Sequence, residues 1–282
     1  MSGFNAFSVC MSVYKNDNAE NFLTALRSVA NQTIVPNEIV LVVDGPIGNC
    51  LESTIATFRK EYANLVVVRF KENQGHAAAR QAGIENAQYP LIAVMDSDDI
   101  ALPTRFEKQI KYFLLNPNVD VVGGQISEFI GDMANVVGRR IVPQTDKEIK
   151  NYLKKRCPFN QVSVMFRKES VLRCGGYIDW HYNEDYFLWI RMVQHGCVFA
   201  NLPDVLVDVR VGEEMYARRG GVKYFRSEAR LQKYMLNNKM ISHVRYAYNV
   251  MIRLFLQVLF PNWLRGWVFQ RFAREKNYEK KI

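Results

Sequence analysis

The chain has 282 residues, enough for one large α/β domain or for a domain with an appendage, and 49% of them are hydrophobic, which excludes a disordered protein. Its five cysteines are scattered, odd in number and without a CxxC spacing, so neither a disulfide framework nor a zinc site is indicated. The net charge of +9 is uneven: residues 218–282 hold 15 Lys and Arg against 3 acids, and the residues before them hold 22 against 25. We expect a near-neutral body and a basic tail that meets an anionic partner.

The first hundred residues alternate strand and helix patterns. Apolar runs predict strands at 7–14, 38–43, 65–70 and 91–95, and helical spacing of apolar residues predicts helices at 19–31, 50–62 and 76–87. Strands that alternate with helices favour a mostly parallel sheet with right-handed crossovers. The first apolar run lacks the charged segment that precedes a signal sequence, so we predict a cytoplasmic protein.

Polar side chains end three of these strands. Ser12 and Tyr14 end the first, Asp44 the second, and Asp96 and Asp98 the fourth, and in a parallel sheet ligands bind outside these ends. The loop at 73–76 enters a helix whose N-terminal amides favour an anion. No GxGxxG follows the first strand and no GxxxxGK[ST] occurs, which disfavours a dinucleotide-dependent dehydrogenase and a P-loop NTPase.

The stretch 90–103, PLIAVMDSDDIALP, places three carboxylates directly after a buried strand. Asp96, Asp98 and Asp99 raise one another's pKa unless a cation or hydrogen-bond donors offset the repulsion. Oxygen ligands alone suit Mg²⁺ or Mn²⁺. The alternative is a solvated acidic turn or a helix N-cap, in which Asp99 bonds the amides of a helix that starts near Pro103.

The middle of the chain predicts further strands at 119–122, with an extension to 130, and at 160–166. A helix at 184–194 then begins with Glu184 and Asp185. Just before it, Trp180 stacks on an acceptor sugar or packs in the core, and His181 is solvated or completes a metal shell.

The tail begins with Arg218 and Arg219 beside two glycines. Such a loop suits closure over a diphosphate, and a solvated basic turn is the alternative. Helices are predicted at 222–237, 241–260 and 263–274, and the apolar part of the second is too short to span a membrane. The aromatic and basic residues of the tail favour contact with anionic lipid, against packing on the catalytic domain or dimerisation.

Five segments in consistent order carry a family resemblance: SVYKND, LVVDGP, ENQGHAAARQAG, VMDSDD and NEDYFLWIRM. Over about residues 7–215 the chain resembles the family 2 glycosyltransferases with a GT-A fold, in particular bacterial enzymes that build capsule, exopolysaccharide or O-antigen repeat units. The resemblance implies a catalytic domain at 1–217 and a C-terminal helical extension at 218–282. Within the catalytic domain, a nucleotide-sugar half ends near residue 100 and an acceptor half, 101–217, follows.

The resemblance also implies residue roles. The positions that hold the uracil and ribose of a UDP-sugar match Ser12, Val13, Tyr14 and Asp44. Asp96 matches the acid near the ribose, and Asp98 matches the acid that binds the Mn²⁺ or Mg²⁺ bridging the pyrophosphate. Arg80 matches a basic position of the nucleotide site, and a buried structural ion pair is an equally good interpretation.

Asp185, the second acid of the pair that opens its helix beside Glu184, matches the general base. Transfer with inversion is a single displacement in which a carboxylate takes the acceptor hydroxyl's proton while UDP leaves. The base must lie across the anomeric carbon from UDP, so it should come from a segment other than the DSDD loop. The alternative is that the two acids only compensate the helix dipole.

The predicted function is therefore transfer of a hexose or N-acetylhexosamine from a UDP-sugar to a polyprenyl-diphosphate-linked saccharide, by a peripheral protein on the inner face of the cytoplasmic membrane. No nucleic-acid partner is expected, and a homo-oligomer is left open. One rival is a sugar-nucleotide nucleotidyltransferase, although SVYKND lacks its glycine-rich phosphate loop. The other is a non-catalytic protein that binds anionic lipid or nucleic acid through the tail.

Overall fold

A computed structural model describes residues 6–212 and 220–259. Two predicted features, the diphosphate clamp at Arg218 and Arg219 and the aromatic and basic segment at 263–274, lie outside the described residues.

Four parallel strands separated by helices form the first half of the sheet. The strands are β1 (Phe7–Val13), β2 (Glu38–Val43), β3 (Leu65–Arg69) and β4 (Leu91–Met95), and the helices are α1 (Ala19–Ala30), α2 (Asn49–Glu61) and α3 (His76–Asn86). Their order is β3-β2-β1-β4. Every residue of β2 and β4 is buried, as expected for mainly apolar strands that are covered on both faces. The seven predicted elements of this half are confirmed.

The second half extends the same sheet beyond β4. Its elements are β5 (Ile100–Ala101), α4 (Arg105–Leu115), β6 (Val121–Phe129), β7 (Val136–Arg140), α5 (Asp146–Leu153), β8 (Met165–Arg167), α6 (Lys168–Arg173), α7 (Glu184–Gln194) and β9 (Phe199–Arg210). The order continues β4-β8-β6-β9-β5, and β7 pairs with β6. Strand β8 runs antiparallel to β4 and β6, whereas β6 and β9 are parallel. Strand β4 therefore lies inside the sheet.

The predicted strand at 160–166 is only partly correct. A 3₁₀ turn, Gln161–Ser163, precedes the short strand β8. The Ser163 hydroxyl donates to the Asn160 carbonyl oxygen at 2.8 Å, and the Asn160 amide donates to the Gly124 carbonyl oxygen at 2.8 Å. These side-chain bonds replace the ladder bonds that a continuous strand would make.

Two helices in contact follow the sheet: α8 (Val222–Asn237) and α9 (His243–Leu254), with a π-helical turn, Phe255–Leu259, after them. We call α8 and α9 the C-terminal hairpin. The predicted helix at 222–237 is confirmed, and α9 begins later than predicted because the Ser242 hydroxyl caps it, accepting from the Arg245 backbone N–H at 3.2 Å. Over the part of the chain that the structure describes, no helix is both long and apolar enough to cross a bilayer. The division at residue 217 stays a prediction.

Candidate active site

A small cavity lies where β1 and β4 end against α3. Its volume is about 10 Å³, room for roughly one water molecule. Ser12, Arg80 and Asp96 all line it. The structure therefore brings together three of the predicted nucleotide-binding residues from three separate segments.

Asp44 is 6% exposed and is held by the loop that precedes α3. Its carboxylate accepts hydrogen bonds from the Gln74 backbone N–H at 2.7 Å, the Gly75 backbone N–H at 3.0 Å and the Asn73 side-chain amide at 2.9 Å. The backbone N–H groups of this loop, which were predicted to favour an anion, therefore bind the protein's own Asp44 carboxylate. Its predicted contact with uracil or ribose stays a prediction.

The turn after β2 requires glycine at position 45. Gly45 has φ +86°, and a Cβ there would lie 2.7 Å from the Asn73 backbone nitrogen. We expect Gly45→Ala to destabilise the protein by about 1–2 kcal/mol through the left-handed backbone alone, and to weaken UDP binding because the loop that holds Asp44 must shift. Gly48→Ala is the control, since Gly48 has open space around it. Equal melting temperatures and equal UDP affinities in the two variants would contradict this prediction.

Val13 and Tyr14, the other predicted nucleotide-binding residues at the end of β1, have different surroundings. Val13 is 1% exposed and its side chain is part of the core, while its carbonyl oxygen accepts from the Asp44 backbone N–H at 2.8 Å. The Tyr14 backbone N–H donates to the Asp17 carboxylate at 3.1 Å. The nucleotide contacts predicted for Val13 and Tyr14 stay predictions, and any contact by Val13 involves its backbone.

Asp17 is a residue of this site to which the sequence analysis gave no role, although it lies in the quoted segment SVYKND. It also accepts from the Ser97 hydroxyl at 2.8 Å, which ties the loop after β1 to the loop after β4. Burial raises the pKa of Asp17, and the nearby Asp96 carboxylate adds to the rise. Asp17 therefore adds a fourth acid to Asp96, Asp98 and Asp99 at the ends of β1 and β4.

The three acids of the DSDD segment have different surroundings. Asp99 is 3% exposed and accepts from the Arg210 backbone N–H at 2.9 Å, and Thr104 precedes α4, so the structure does not support the alternative in which Asp99 caps that helix. Asp98, in contrast, is exposed to solvent. Partial withdrawal of its carboxylate from water, followed by the charges of Asp96 and Asp17, raises the pKa of Asp98 to about 6. Within residues 6–212 and 220–259, no three His, Cys, Asp or Glu side chains are arranged to hold a metal by themselves.

Arg80 joins the β4 loop to the start of α7. Its guanidinium donates to Asp96 Oδ1 at 3.2 Å and to Glu184 Oε1 at 2.5 Å. The side chains of Arg80 and Glu184 are each 12% exposed, and that of Asp96 is 37% exposed. The structure thus contains the ion pair that was the alternative interpretation of Arg80, and this pair brings acids from distant segments together. Nucleotide binding by Arg80 stays a prediction.

Asp185 follows Glu184 and lies at the same end of α7. Its Oδ1 accepts from the Tyr186 backbone N–H at 2.6 Å, and the Cys157 Sγ lies 3.7 Å from its Oδ2. Burial and the adjacent Glu184 charge raise the pKa of Asp185, although the Arg80 guanidinium opposes the rise. A carboxylate with a raised pKa is a stronger base, which suits proton abstraction.

Trp180 packs between the body and the C-terminal hairpin. Its indole N–H donates to the Ser227 carbonyl oxygen at 3.1 Å, its ring lies 4.2 Å from that of Phe187, and the Arg230 guanidinium lies 4.5 Å above it. These contacts favour the packing alternative. Stacking on an acceptor sugar stays a prediction.

Comparisons with known proteins agree on the family. The sequence profile of glycosyl transferase family 2 matches residues 8–177. The chain is 37% identical over 253 residues to the amylovoran biosynthesis glycosyltransferase AmsE of Erwinia amylovora, covering 90% of this chain and 94% of that protein. It is 32% identical over 268 residues to the UDP-Gal:alpha-D-GlcNAc-diphosphoundecaprenol beta-1,3-galactosyltransferase of Escherichia coli, covering 95% and 96%.

Among solved structures, S. aureus TarS in complex with UDP-GlcNAc has a TM-score of 0.65 at 18% identity, covering 94% of this chain and 75% of that chain. At this identity the likeness concerns the fold, and it confirms the predicted GT-A architecture. The profile match spans more than half of the chain, and it includes the β1, β2, α3 and β4 segments that form the site. The chain belongs to glycosyl transferase family 2, as its ordered motifs predict.

Proposed function

We propose that this glycosyltransferase moves a hexose or N-acetylhexosamine from a UDP-sugar to a hydroxyl of a lipid-linked saccharide, with inversion, in the synthesis of a bacterial surface polysaccharide. The E. coli relative, which its name describes as using UDP-Gal and a diphosphoundecaprenol-linked acceptor, supports the donor and acceptor classes. The amylovoran relative supports polysaccharide synthesis. We further propose that the protein works as a peripheral protein on the inner face of the cytoplasmic membrane, where such an acceptor is displayed.

One observation carries the proposal: Arg80 binds Asp96 on the donor side and Glu184 beside the proposed base. Single displacement requires the leaving group and the base to flank one reacting carbon. The ion pair brings the two segments that supply these groups to one guanidinium. A helix-dipole role for Glu184 and Asp185 does not account for a buried bond from Glu184 to a different element.

The acids of the β4 loop fit a divalent cation. Mg²⁺ and Mn²⁺ are commonly bound through one or two carboxylates and fill their shells with water and phosphate oxygens. Asp98 is exposed, and its pKa is raised first by partial withdrawal from water and then by repulsion from Asp96 and Asp17, which a cation would relieve. Asp98, with Asp96 nearby, would hold the cation. When bound, such an ion supplies charge stabilisation to the departing diphosphate.

The protein's own residues carry the proton transfer. Asp185 accepts the proton of the acceptor hydroxyl as the oxygen attacks the anomeric carbon; the new C–O bond forms while the bond to the UDP oxygen breaks, and UDP leaves with the electron pair. Positioning comes from Arg80, which fixes Glu184 beside the base. Ser12 lines the same cavity as Arg80, which supports its proposed place among the donor-binding residues.

The test measures UDP release from a panel of UDP-sugars, with and without Mn²⁺, with a synthetic lipid-diphosphate sugar as acceptor. We expect acceptor-dependent UDP release with one hexose or N-acetylhexosamine donor. Release of pyrophosphate from a sugar phosphate and UTP would instead indicate a nucleotidyltransferase. Salt-sensitive binding to lipid or nucleic acid without any UDP affinity would indicate the non-catalytic rival.

The metal assignment predicts a separate defect. We expect Asp98→Asn to lower turnover by at least about 10²-fold, because a bound metal stabilises the charge on the leaving group by several kcal/mol. The same substitution should remove the Mn²⁺ dependence of UDP binding. A UDP thermal shift with and without Mn²⁺ measures the second effect. Asp204→Asn, which removes an acid paired with Lys108 at the surface, is the matched control. Unchanged Mn²⁺ dependence in Asp98→Asn would exclude this ligand.

A further inference from the structure

We propose that the C-terminal hairpin is a docking surface for an anionic lipid bilayer and that it holds the catalytic base next to the membrane. This inference rests on the proposed function, since the docking surface would bring Asp185 to the membrane that carries the lipid-linked acceptor. Three observations carry it: a stripe of cations on α8, a stripe of exposed apolar side chains on α9, and the contacts that fix both helices beside α7.

The first stripe lies on α8. Lys223, Arg226, Arg230 and Lys233 follow one another at helical spacing, and all four are exposed. The acid of α8, Glu228, is instead bonded to Arg253 of α9 at 2.7 Å. Residues 220–259 contain seven Lys and Arg and one acid, so the described part of the hairpin is strongly basic. Such a surface attracts anionic headgroups.

The second stripe lies on α9 and continues past its end. Val244 is 81% exposed, Tyr248 58%, Met251 57% and Phe255 48%, and their spacing puts them on one helical face. Four large apolar side chains on one exposed face form a patch that isolated surface residues do not make. An exposed apolar stripe on one helix and a cationic stripe on the helix that it contacts combine the two features of helices that lie in the headgroup layer of a membrane.

Charge complementarity decides the occupant. A second copy of this chain would bring its own cations against those of α8, which costs free energy, whereas an anionic bilayer offers phosphate to the cations and acyl chains to the apolar stripe. Anionic lipid is therefore the partner that this surface fits.

The hairpin is rigidly attached beside the base. Arg253 donates to the Lys155 carbonyl oxygen at 2.6 Å, and Asn249 donates to the Lys154 carbonyl oxygen at 2.9 Å. Both carbonyls belong to the connection that leads directly to Cys157, whose sulfur contacts Asp185. Just before α7, the Trp180 indole N–H also donates to the Ser227 carbonyl oxygen of α8. Docking of the hairpin on a bilayer therefore holds the base close to the lipid surface.

The test uses vesicles of equal parts phosphatidylglycerol and phosphatidylcholine, and vesicles of phosphatidylcholine alone, without donor or acceptor. One variant combines Lys223→Gln, Arg226→Gln and Lys233→Gln; Arg230 is kept because it covers Trp180. The other combines Val244→Ser and Met251→Ser. The matched controls are Arg59→Gln, Lys60→Gln and Lys111→Gln together, and Val35→Ser with Leu115→Ser, all at exposed positions of the body.

We expect the full chain to bind the anionic vesicles and to bind the neutral ones weakly. The cation variant should lose about fivefold in affinity per cation, about a hundredfold together, and the apolar variant at least about tenfold. Both controls should bind like the unchanged chain. Turnover with a soluble short-chain acceptor should be unaffected, whereas turnover with a vesicle-embedded acceptor should fall.

Three results would overturn the inference: vesicle binding by both variants at the level of the unchanged chain, equal binding to anionic and neutral vesicles, or a dimer that the apolar variant dissociates while vesicle binding persists. None of these depends on catalysis. A UDP thermal shift in the same preparations reports the donor site, so failure of the docking surface is distinguishable from failure of the proposed function.

Discussion

Asp185→Asn is expected to lower turnover by about 10²–10⁴-fold while leaving UDP affinity unchanged, because the amide has nearly the shape of the carboxylate but accepts no proton. In the proposed mechanism Asp185 faces the acceptor, whereas the nucleotide is expected to contact the ends of β1, β2 and β4. Initial rates at saturating donor and acceptor measure the first effect, and UDP titration measures the second.

Glu169→Gln is the control, since Glu169 is an exposed acid in the first turn of α6. It should retain full activity. Near-normal turnover in Asp185→Asn would remove Asp185 from the mechanism. Loss of UDP binding along with turnover would show instead that the substitution disturbs the site as a whole.

The same assignment has a pH signature. The base is active when ionised, so the rate should fall as the pH drops through the pKa of Asp185. Because burial and Glu184 raise that pKa, the acidic limb of the rate profile should lie above the ordinary value of 3.8. This limb should be absent from the residual activity of Asp185→Asn.

Arg80→Met is expected to have the largest effect on stability. Removal of the guanidinium leaves Glu184 partly buried without its cation, and loss of one partner of a buried pair typically costs about 3–5 kcal/mol. Activity should fall as well, since the segments that carry Asp96 and Asp185 lose the bond between them. Chemical denaturation gives the free energy of unfolding, and assays below the transition give the activity.

Arg27→Met provides the comparison. Arg27 forms an ion pair of similar length with Glu61, 2.6 Å, but the two side chains are 48% and 40% exposed. Exposed pairs contribute little, so this variant should be nearly as stable as the unchanged chain. The double variant with Glu184→Gln should recover part of the loss at Arg80. Equal stabilities of Arg80→Met and Arg27→Met would show that the buried pair has no special importance.

The parallel half of the fold was predictable because each element there has a local signal. The strands are mainly apolar segments, and helices of ordinary length separate them. Strand β9 was not predicted, since its sequence contains Asn201, Pro203 and Asp204, residues typical of turns. Its pairing with β6 indeed shifts register near that point. Helix α5 was missed although Thr145 and Glu148 form a capping box, a signal that was present in the sequence.

The sequence predicted which residues lie close together in the site better than it predicted the contacts that each side chain makes. The rule on strand ends brought Ser12 and Asp96 to one cavity. The same rule could not predict that Asp44 binds the loop at 73–75, because the carboxylate and the loop each have several other possible partners of suitable chemistry. Cys157 beside Asp185 had no signal, since the contact depends on how α5 and α7 pack.

Strand β4 pairs on one side with β1 and on the other with β8, which comes some seventy positions later, and the acidic loop after β4 is fastened by Asp99 to Arg210. During translation the earlier strands emerge long before these partners. Until then the growing polypeptide has an open hydrogen-bonding edge and an unshaped acidic loop, and such edges promote aggregation. We therefore expect a fragment that stops near residue 120 to be insoluble, and ribosome-associated chaperones to be most needed between the appearance of β4 and that of β9.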